Sequence, residues 1–177
     1  VRRLGLRPGD RVLDLCCGTG DIAARCLRSL GASGSVVAAD FSLEMLKIAG
    51  RRLAARGGSP AGGSATAAVA CADAMCLPFG EGSFRAVTIG YGLRNVAGLE
   101  GCLREVYRVL APGGWIASLD VGKVRSAWLR PLVAFYFFRI VPRIGALLQP
   151  GEEMYAYLPH SSLDFPHQDR LREVLAG

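Results

Sequence analysis

Short apolar runs alternate along this chain with stretches whose apolar residues recur every three or four positions, which is the alternation a parallel sheet requires. "RVLDLC" (residues 11–16) reads as a buried strand introduced by the turn residues "RPGD", and residues 20–30 carry helical spacing that closes at Gly31. "SVVAAD" (35–40) is a second buried strand. Ser42 then has the chemistry of an N-cap, with Met45, Leu46, Ile48, Ala49 and Leu53 as the apolar face of the helix behind it. Residues 57–68, "GGSPAGGSATAA", are small and of low complexity and suit a surface insertion. A weak strand follows at 67–72, a stronger one at 84–92 ("FRAVTIGYG"), and a helix at 99–110 that "APGG" ends before a fifth strand at 115–121 ("WIASLDV"). Five strands joined by helical crossovers predict a doubly wound, mostly parallel α/β sheet of the Rossmann-like kind, whose ligands sit at the carboxyl ends of the strands.

The segment "WLRPLVAFYFFRIVPRIGALL" (128–148) breaks this rhythm, being apolar and aromatic enough to raise the question of a membrane span. Arg130, Arg139 and Arg143 argue against one, since each central charge costs about 2.5–3.5 kcal/mol on insertion, and Pro131 and Pro142 interrupt a helix. A broken amphipathic helix is the expectation. It serves either as a core helix packed on the sheet or as a greasy lid in contact with a membrane surface.

Composition adds little to the fold and more to the partners. The 177 residues, 51% of them hydrophobic, predict one globular domain over 1–177, with residues 122–168 as a covering segment within it. The net charge of +6 is carried almost wholly by arginine, scattered rather than run together, so a nucleic-acid tract is not indicated. A diffuse positive field suits anionic lipid or an anionic substrate surface. The six cysteines form no CxxC pair and the two histidines, His160 and His167, stand far from them, so no metal site is expected. A reducing compartment follows from cysteines on buried strands.

The chemistry concentrates in "DLCCGTGD" (14–21). "GTGDIA" (18–23) fits the loose dinucleotide pattern, yet Asp21 falls in the first turn of the following helix, where its carboxylate would repel a pyrophosphate. A cationic ligand without phosphate fits better, and S-adenosylmethionine, with its ammonium and sulfonium, is one. Gly18 and Gly20 let the backbone approach it. Asp14 braces the turn or meets the ammonium through water. Asp40, at the tip of the second strand, accepts from ribose hydroxyls, and Asp73 in "CADAM" accepts from the adenine amino group. Cys17, Phe41 and Ala74 complete the candidate cofactor set. Cys16 and Cys17 act as small residues between sheet and cofactor, with nothing that makes them redox-active.

Beyond this shared loop, "VLDLCCGTGD" (12–21), "LPF" (77–79), "GYGLRNV" (90–96), "YRVLAPGG" (107–114), "PRIG" (142–145) and "YAYLPHSSLDFPHQ" (155–168) occur in order along nearly the whole chain. In these blocks the sequence resembles the ubiquinone/menaquinone biosynthesis C-methyltransferases, the UbiE/MenG family of class I S-adenosylmethionine-dependent methyltransferases. The resemblance implies methylation of a ring carbon of a prenylated quinol, with "CCG" and "GYGLRNV" pointing to the demethylmenaquinol/demethylphylloquinol branch. It also implies a peripherally membrane-associated protein of a plastid or of the bacterial cytoplasm, with a homo-oligomer left open. The ubiquinone branch, a methyltransferase for a soluble small molecule, and a non-catalytic cofactor-binding fragment are the alternatives.

Within that resemblance Arg94 is the first catalytic candidate, as the charge that stabilises the acceptor's phenolate. The family proposal that it is a base acting through water is physically less attractive, because a guanidinium is not deprotonated in a protein. Asn95 orients the water or the quinol oxygen, or else caps a helix. Tyr91, Tyr155 and Tyr157 are candidates for the acceptor's pocket. The sequence departs from the family in lacking the helical region before "RVLDL" and the final antiparallel strands, as in a fragment, and in placing Arg85 where an acidic residue usually stands. Without closing strands the fifth strand is expected to be an exposed sheet edge.

Overall fold

A computed structural model describes residues 4–31, 33–55, 65–120, 126 and 128–140. The chain divides into two compact units, Val1–Asp120 and Val121–Gly177. The first holds β1 (Arg11–Leu15), α1 (Asp21–Leu30), β2 (Ser35–Asp40), α2 (Leu43–Ala54), β3 (Thr66–Cys71), β4 (Phe84–Gly90), a short 3-10 turn (Leu93–Asn95), α3 (Leu99–Val109) and β5 (Leu110–Leu119). All neighbouring strands are parallel, in the order β3-β2-β1-β4-β5. The chain winds outward from β1 to β3, returns to place β4 on the other side of β1, and winds outward again. Right-handed crossovers then put α1 and α2 on one face and α3 on the other, and the reversal between β1 and β4 opens a crevice at the strand tips.

The centre of the sheet is dry because both faces are covered. Val12, Leu13 and Leu15 of β1 and Phe84, Ala86, Val87 and Ile89 of β4 are buried, so these strands read as continuous apolar runs rather than as alternating ones. Phe79 sets its ring edge-on against Phe84, with centroids 5.1 Å apart. The "LPF" loop that carries Phe79 is tied to α3. Arg108 donates to the carbonyls of Phe79 and Leu77 at 2.7 and 3.0 Å, and Glu105 accepts from the Leu77 N–H at 2.7 Å. Hydrogen bonds from Arg108, and then from Leu77, pull the Glu105 carboxyl down to about 2.

Several expected boundaries shift for local reasons. β1 stops at Leu15 because Cys16 takes φ 54°, and β4 stops at Gly90 because Tyr91 takes φ 57°. β3 starts at Thr66, inside the stretch read as a surface insertion, since an edge strand needs little more than backbone pairing to β2. β5 begins directly at the end of α3. Its partner on β4 jumps from Leu110 opposite Phe84 to Trp115 opposite Ala86, so "APGG" is an irregularity inside the strand rather than a turn before it. The Arg85 guanidinium donates to the Gly113 carbonyl and pins that irregularity, a structural use for the residue that departs from the family pattern. On α2 the buried stripe is Leu46, Ala49 and Leu53; Met45 and Ile48 are exposed, because α2 lies over β3, where the sheet ends.

β5 is the other outer strand of the described sheet, with Trp115 and Leu119 more than half exposed. In the second unit, α4 (Arg130–Phe135) runs into a π-helical turn (Tyr136–Ile140), and Trp128, Leu132, Phe135 and Tyr136 are exposed. Among the described residues no helix is long and apolar enough to cross a membrane. The expectations for Tyr155, Tyr157 and the blocks at 142–145 and 155–168 lie outside the described residues, as do His160 and His167.

Candidate active site

The loop after β1 is built around a buried carboxylate. Asp14 is wholly inaccessible, accepting from the Ala23 N–H in the first turn of α1 at 2.8 Å and from the Thr88 hydroxyl of β4 at 2.7 Å. It therefore braces the turn and does not reach the cleft. Burial pushes its carboxyl up to about 6; the bonds from Thr88 and Ala23 oppose that rise, while Asp40 and Asp21 add to it. The first turn of a helix ordinarily attracts an external anion through its free N–H groups. Here Asp14 takes one of those groups, the Ala23 N–H, from inside the protein.

Asp40 organises the other side. Its two oxygens accept from the Gly18 N–H at 2.8 Å and the Ser42 N–H at 2.9 Å, joining the loop after β1 to the start of α2. Gly18, at φ 53°, holds the left-handed backbone this loop requires. Gly20 serves a different end: a Cβ there would lie 3.0 Å from Ala49 Cβ, so the glycine lets α1 approach α2.

A cleft of about 580 Å³ opens above these groups, in the size range of small-molecule and cofactor sites. β1 and its loop contribute Leu15, Cys16 and Gly18; β2 contributes Asp40 and Phe41; the turn after β3 contributes Ala72, Asp73 and Ala74. Gly90, Tyr91, Gly92, Asn95, Val96 and Ala97 close the β4 side. Of the sequence candidates, Gly18, Asp40, Phe41, Asp73, Ala74, Tyr91 and Asn95 thus meet in one cleft. Five others fall outside the lining. Asp14 and Gly20 act beneath it as described. Asp21 is largely exposed and is paired with Arg52 and Thr19, because the first turn of α1 points it to solvent beside α2. Cys17 yields its place to Cys16, because the positive φ at Cys16 interrupts the strand's alternation. Arg94 is turned inward, its side chain 7% exposed, toward Asp120 at the tip of β5.

Burial, followed by neighbouring carboxylates and thiols, pushes the Cys16 and Cys17 thiols up to about 12, so neither is a thiolate nucleophile near neutrality. Sequence reasoning missed Thr88, Arg52 and Asp120, and of the two cysteines it set beside the cofactor only Cys16 lines the cleft. A signal existed for Asp120, since "SLD" repeats at the fifth strand the pattern of a carboxylate at a strand tip.

The lining fits the ligand expected from sequence: acidic and backbone groups at the ends of β2 and β3, with an exposed aromatic, Phe41, at the mouth. Asp73 keeps one oxygen on the Met75 N–H at 2.8 Å and is itself exposed to the cleft. Among the described residues no cluster of three or more His, Cys, Asp or Glu is placed to hold a metal ion.

Comparison with known proteins decides the family. The sequence model of the ubiE/COQ5 methyltransferase family matches residues 1–177. The chain belongs to that family. It is 44% identical over 165 residues to "Demethylmenaquinone methyltransferase" of Leptospira interrogans, covering 93% of this chain and 64% of that relative. It is 42% identical over 170 residues to "Ubiquinone/menaquinone biosynthesis C-methyltransferase UbiE" of Stenotrophomonas maltophilia, covering 96% and 65%. The chain thus spans a little under two thirds of the length of these relatives. In fold, this family member resembles a SAM dependent methyltransferase from Aquifex aeolicus, with a TM-score of 0.61 at 21% identity over 71% of this chain and 64% of that one.

Close packing at the cleft wall gives a direct test of the Cys16 conformation. A Cβ on Gly92 would lie 2.3 Å from Cys16 Cβ, so the two residues share one space. Gly92→Ala is expected to cost about 1–3 kcal/mol in urea denaturation, as overpacking does. Cys16→Gly, which frees both the space and the positive φ, is expected to restore most of that loss in the double variant. A double-variant loss equal to the sum of the two single-variant losses would show that the two sites do not couple.

Proposed function

We propose that this protein binds S-adenosylmethionine in the strand-tip cleft and directs its methyl group to a ring carbon of a prenylated quinol of the demethylmenaquinol or demethylphylloquinol type. The observation that carries the reading is the arrangement of acids. Asp14 already takes the Ala23 N–H in the first turn of α1, the kind of group on which a dinucleotide rests its phosphates, while Asp40 and Asp73 face the cleft. Membership in the ubiE/COQ5 family and the names of its relatives support the acceptor class.

When bound, S-adenosylmethionine supplies an electrophilic methyl group on a sulfonium. Asp40 retains acceptor capacity toward ribose hydroxyls while holding the Gly18 loop, and Asp73 offers its free oxygen to the adenine amino group. Gly18 and Cys16 bring backbone and a small side chain against the remainder of the cofactor. On the acceptor side, Tyr91 and Asn95 line the wall, and Arg94 lies behind Tyr91 with its Cζ 5.7 Å from the ring centroid. A ring carbon becomes nucleophilic as the neighbouring phenol loses its proton, and a positive charge near that oxygen favours the loss. Tyr155 and Tyr157 belong to the acceptor side through the family resemblance.

A lipid acceptor calls for contact with a bilayer. Trp128, Leu132, Phe135 and Tyr136 recur at helical spacing and are exposed in the second unit, a composition suited to a membrane interface.

The test is direct. Reduced demethylmenaquinone in detergent is incubated with the protein and S-adenosylmethionine, and the extracted quinone is read by mass spectrometry for one added methyl group. Calorimetry should give heat with S-adenosylhomocysteine and none with NAD; the reverse result would overturn the cofactor reading. Flotation with anionic vesicles tests the membrane contact, and a wholly soluble protein would remove it.

A further inference from the structure

Arg94 Nε is buried and, among the described residues, has no hydrogen-bond partner. The same guanidinium reaches Asp120 Oδ1 only at 3.4 Å through Nη1, longer than the roughly 2.7–2.9 Å of a closed charge-assisted bond, although the two side chains are just 7% and 5% exposed. An ion pair kept for stability alone would be expected to spend its donors, because burying charges is costly unless each is satisfied. This pair is open. It also sits against the cleft wall, since the guanidinium lies over the Tyr91 ring and Tyr91 lines the cleft.

The tip of β5 holds that wall twice. Leu119 accepts from the Tyr91 N–H at 2.7 Å, and the next residue, Asp120, takes the guanidinium. Tyr91 keeps a left-handed φ of 57°, and Asn95 Nδ2 donates to its carbonyl at 3.4 Å. A non-glycine residue stays in that conformation only where its surroundings impose it.

Resting on the acceptor reading of the cleft given above, we infer that Asp120 is a positioning residue: it holds the Arg94 guanidinium against the back of Tyr91, so that the positive charge faces the acceptor's phenolic oxygen. Asp120 touches neither acceptor nor cofactor. Its effect passes through Arg94, and the direction of a measurable shift distinguishes positioning from simple charge neutralisation. If Asp120 only neutralised Arg94, removing its charge would strengthen the field at the cleft and make a bound phenol ionise at lower pH. If Asp120 positions Arg94, removing it lets the guanidinium leave, and the phenol ionises at higher pH.

1-Naphthol, whose absorption reports its ionisation, is the probe, titrated on the protein in the presence of S-adenosylhomocysteine. In the wild type it should ionise below its value in free solution. Asp120→Asn should raise that pH by about one unit, a tenfold change in the ionisation equilibrium. Asp120→Glu, which keeps the charge on a longer arm, should raise it by less than half as much. Affinity for S-adenosylhomocysteine should stay within twofold throughout, which also reports that the variants fold. An unchanged or lowered ionisation pH in Asp120→Asn overturns the inference; should that variant not fold, no upward shift in Asp120→Glu overturns it equally. Wild-type protein that binds no naphthol at all overturns the acceptor reading, and the inference with it.

Discussion

Asp40→Ala is expected to weaken S-adenosylhomocysteine binding a hundredfold or more. The carboxylate does two things at once in the proposed complex. It fixes the Gly18 and Ser42 N–H groups at 2.8 and 2.9 Å, and it presents its remaining lone pairs to the ribose. Hydrogen bonds to a charged partner are each worth about 1.5–3 kcal/mol. Alanine removes the ribose contacts outright and leaves the Gly18 loop to be ordered at the expense of binding, so a total near 3 kcal/mol, about a hundredfold in Kd, is the expectation. Asp73→Ala makes the comparison sharper. Asp73 is exposed and, among the described residues, braces its own turn through Met75, so its loss should cost about tenfold, one charged hydrogen bond. Calorimetric titration of both variants decides it. An Asp40→Ala affinity within threefold of the wild type would mean that the ligand does not sit on this strand tip.

The second large effect concerns stability rather than binding. The Asp14 carboxyl stands at about 6 in the folded protein against an ordinary 3.8, with burial as the main cause. The folded state therefore holds this proton to higher pH than the unfolded chain does. As pH rises from about 4 to about 6, unfolding releases a proton, and stability falls across that window before levelling off. A rise of about two units corresponds to about 3 kcal/mol. Asp14→Asn keeps an acceptor for the Ala23 N–H and an amide for Thr88 but cannot titrate. The difference in unfolding free energy between the variant and the wild type should grow in favour of the variant by about 2 kcal/mol between pH 4 and pH 6.5, the part of the full change that falls in that range. Urea denaturation across that range measures it, and the contributions of other carboxylates cancel in the difference. Parallel profiles would mean that Asp14 is solvated in the native state.

Both residues were legible as carboxylates at strand tips, but their tasks were not. The sequence places Asp14 and Asp40 at the same point of two successive strands, and nothing local distinguishes a carboxylate that faces inward from one that faces the cleft. The distinction comes from Thr88, which lies 74 residues from Asp14 in sequence and reaches it only because β4 pairs with β1. Asp21 shows the same limit. Its place in the first turn of α1 was clear, whereas its pairing with Arg52 depended on α2 packing beside α1. Arg94 was recognisable as a charged residue after the fourth strand. Its burial against Asp120 required β5 to lie next to β4.

What the sequence alone determined is the succession of elements, the parallel sheet and the cluster of acids at its carboxyl edge, because apolar periodicity, caps and glycine turns act over a few residues and leave their mark in the string. Tertiary structure alone decided which acid became a brace and which an acceptor, that Cys16 rather than Cys17 lines the cleft, and that Arg94 is held from behind. These outcomes depend on burial and on partners brought together by strand order, and the cost of burying a charge is set by neighbours that no local stretch of sequence contains.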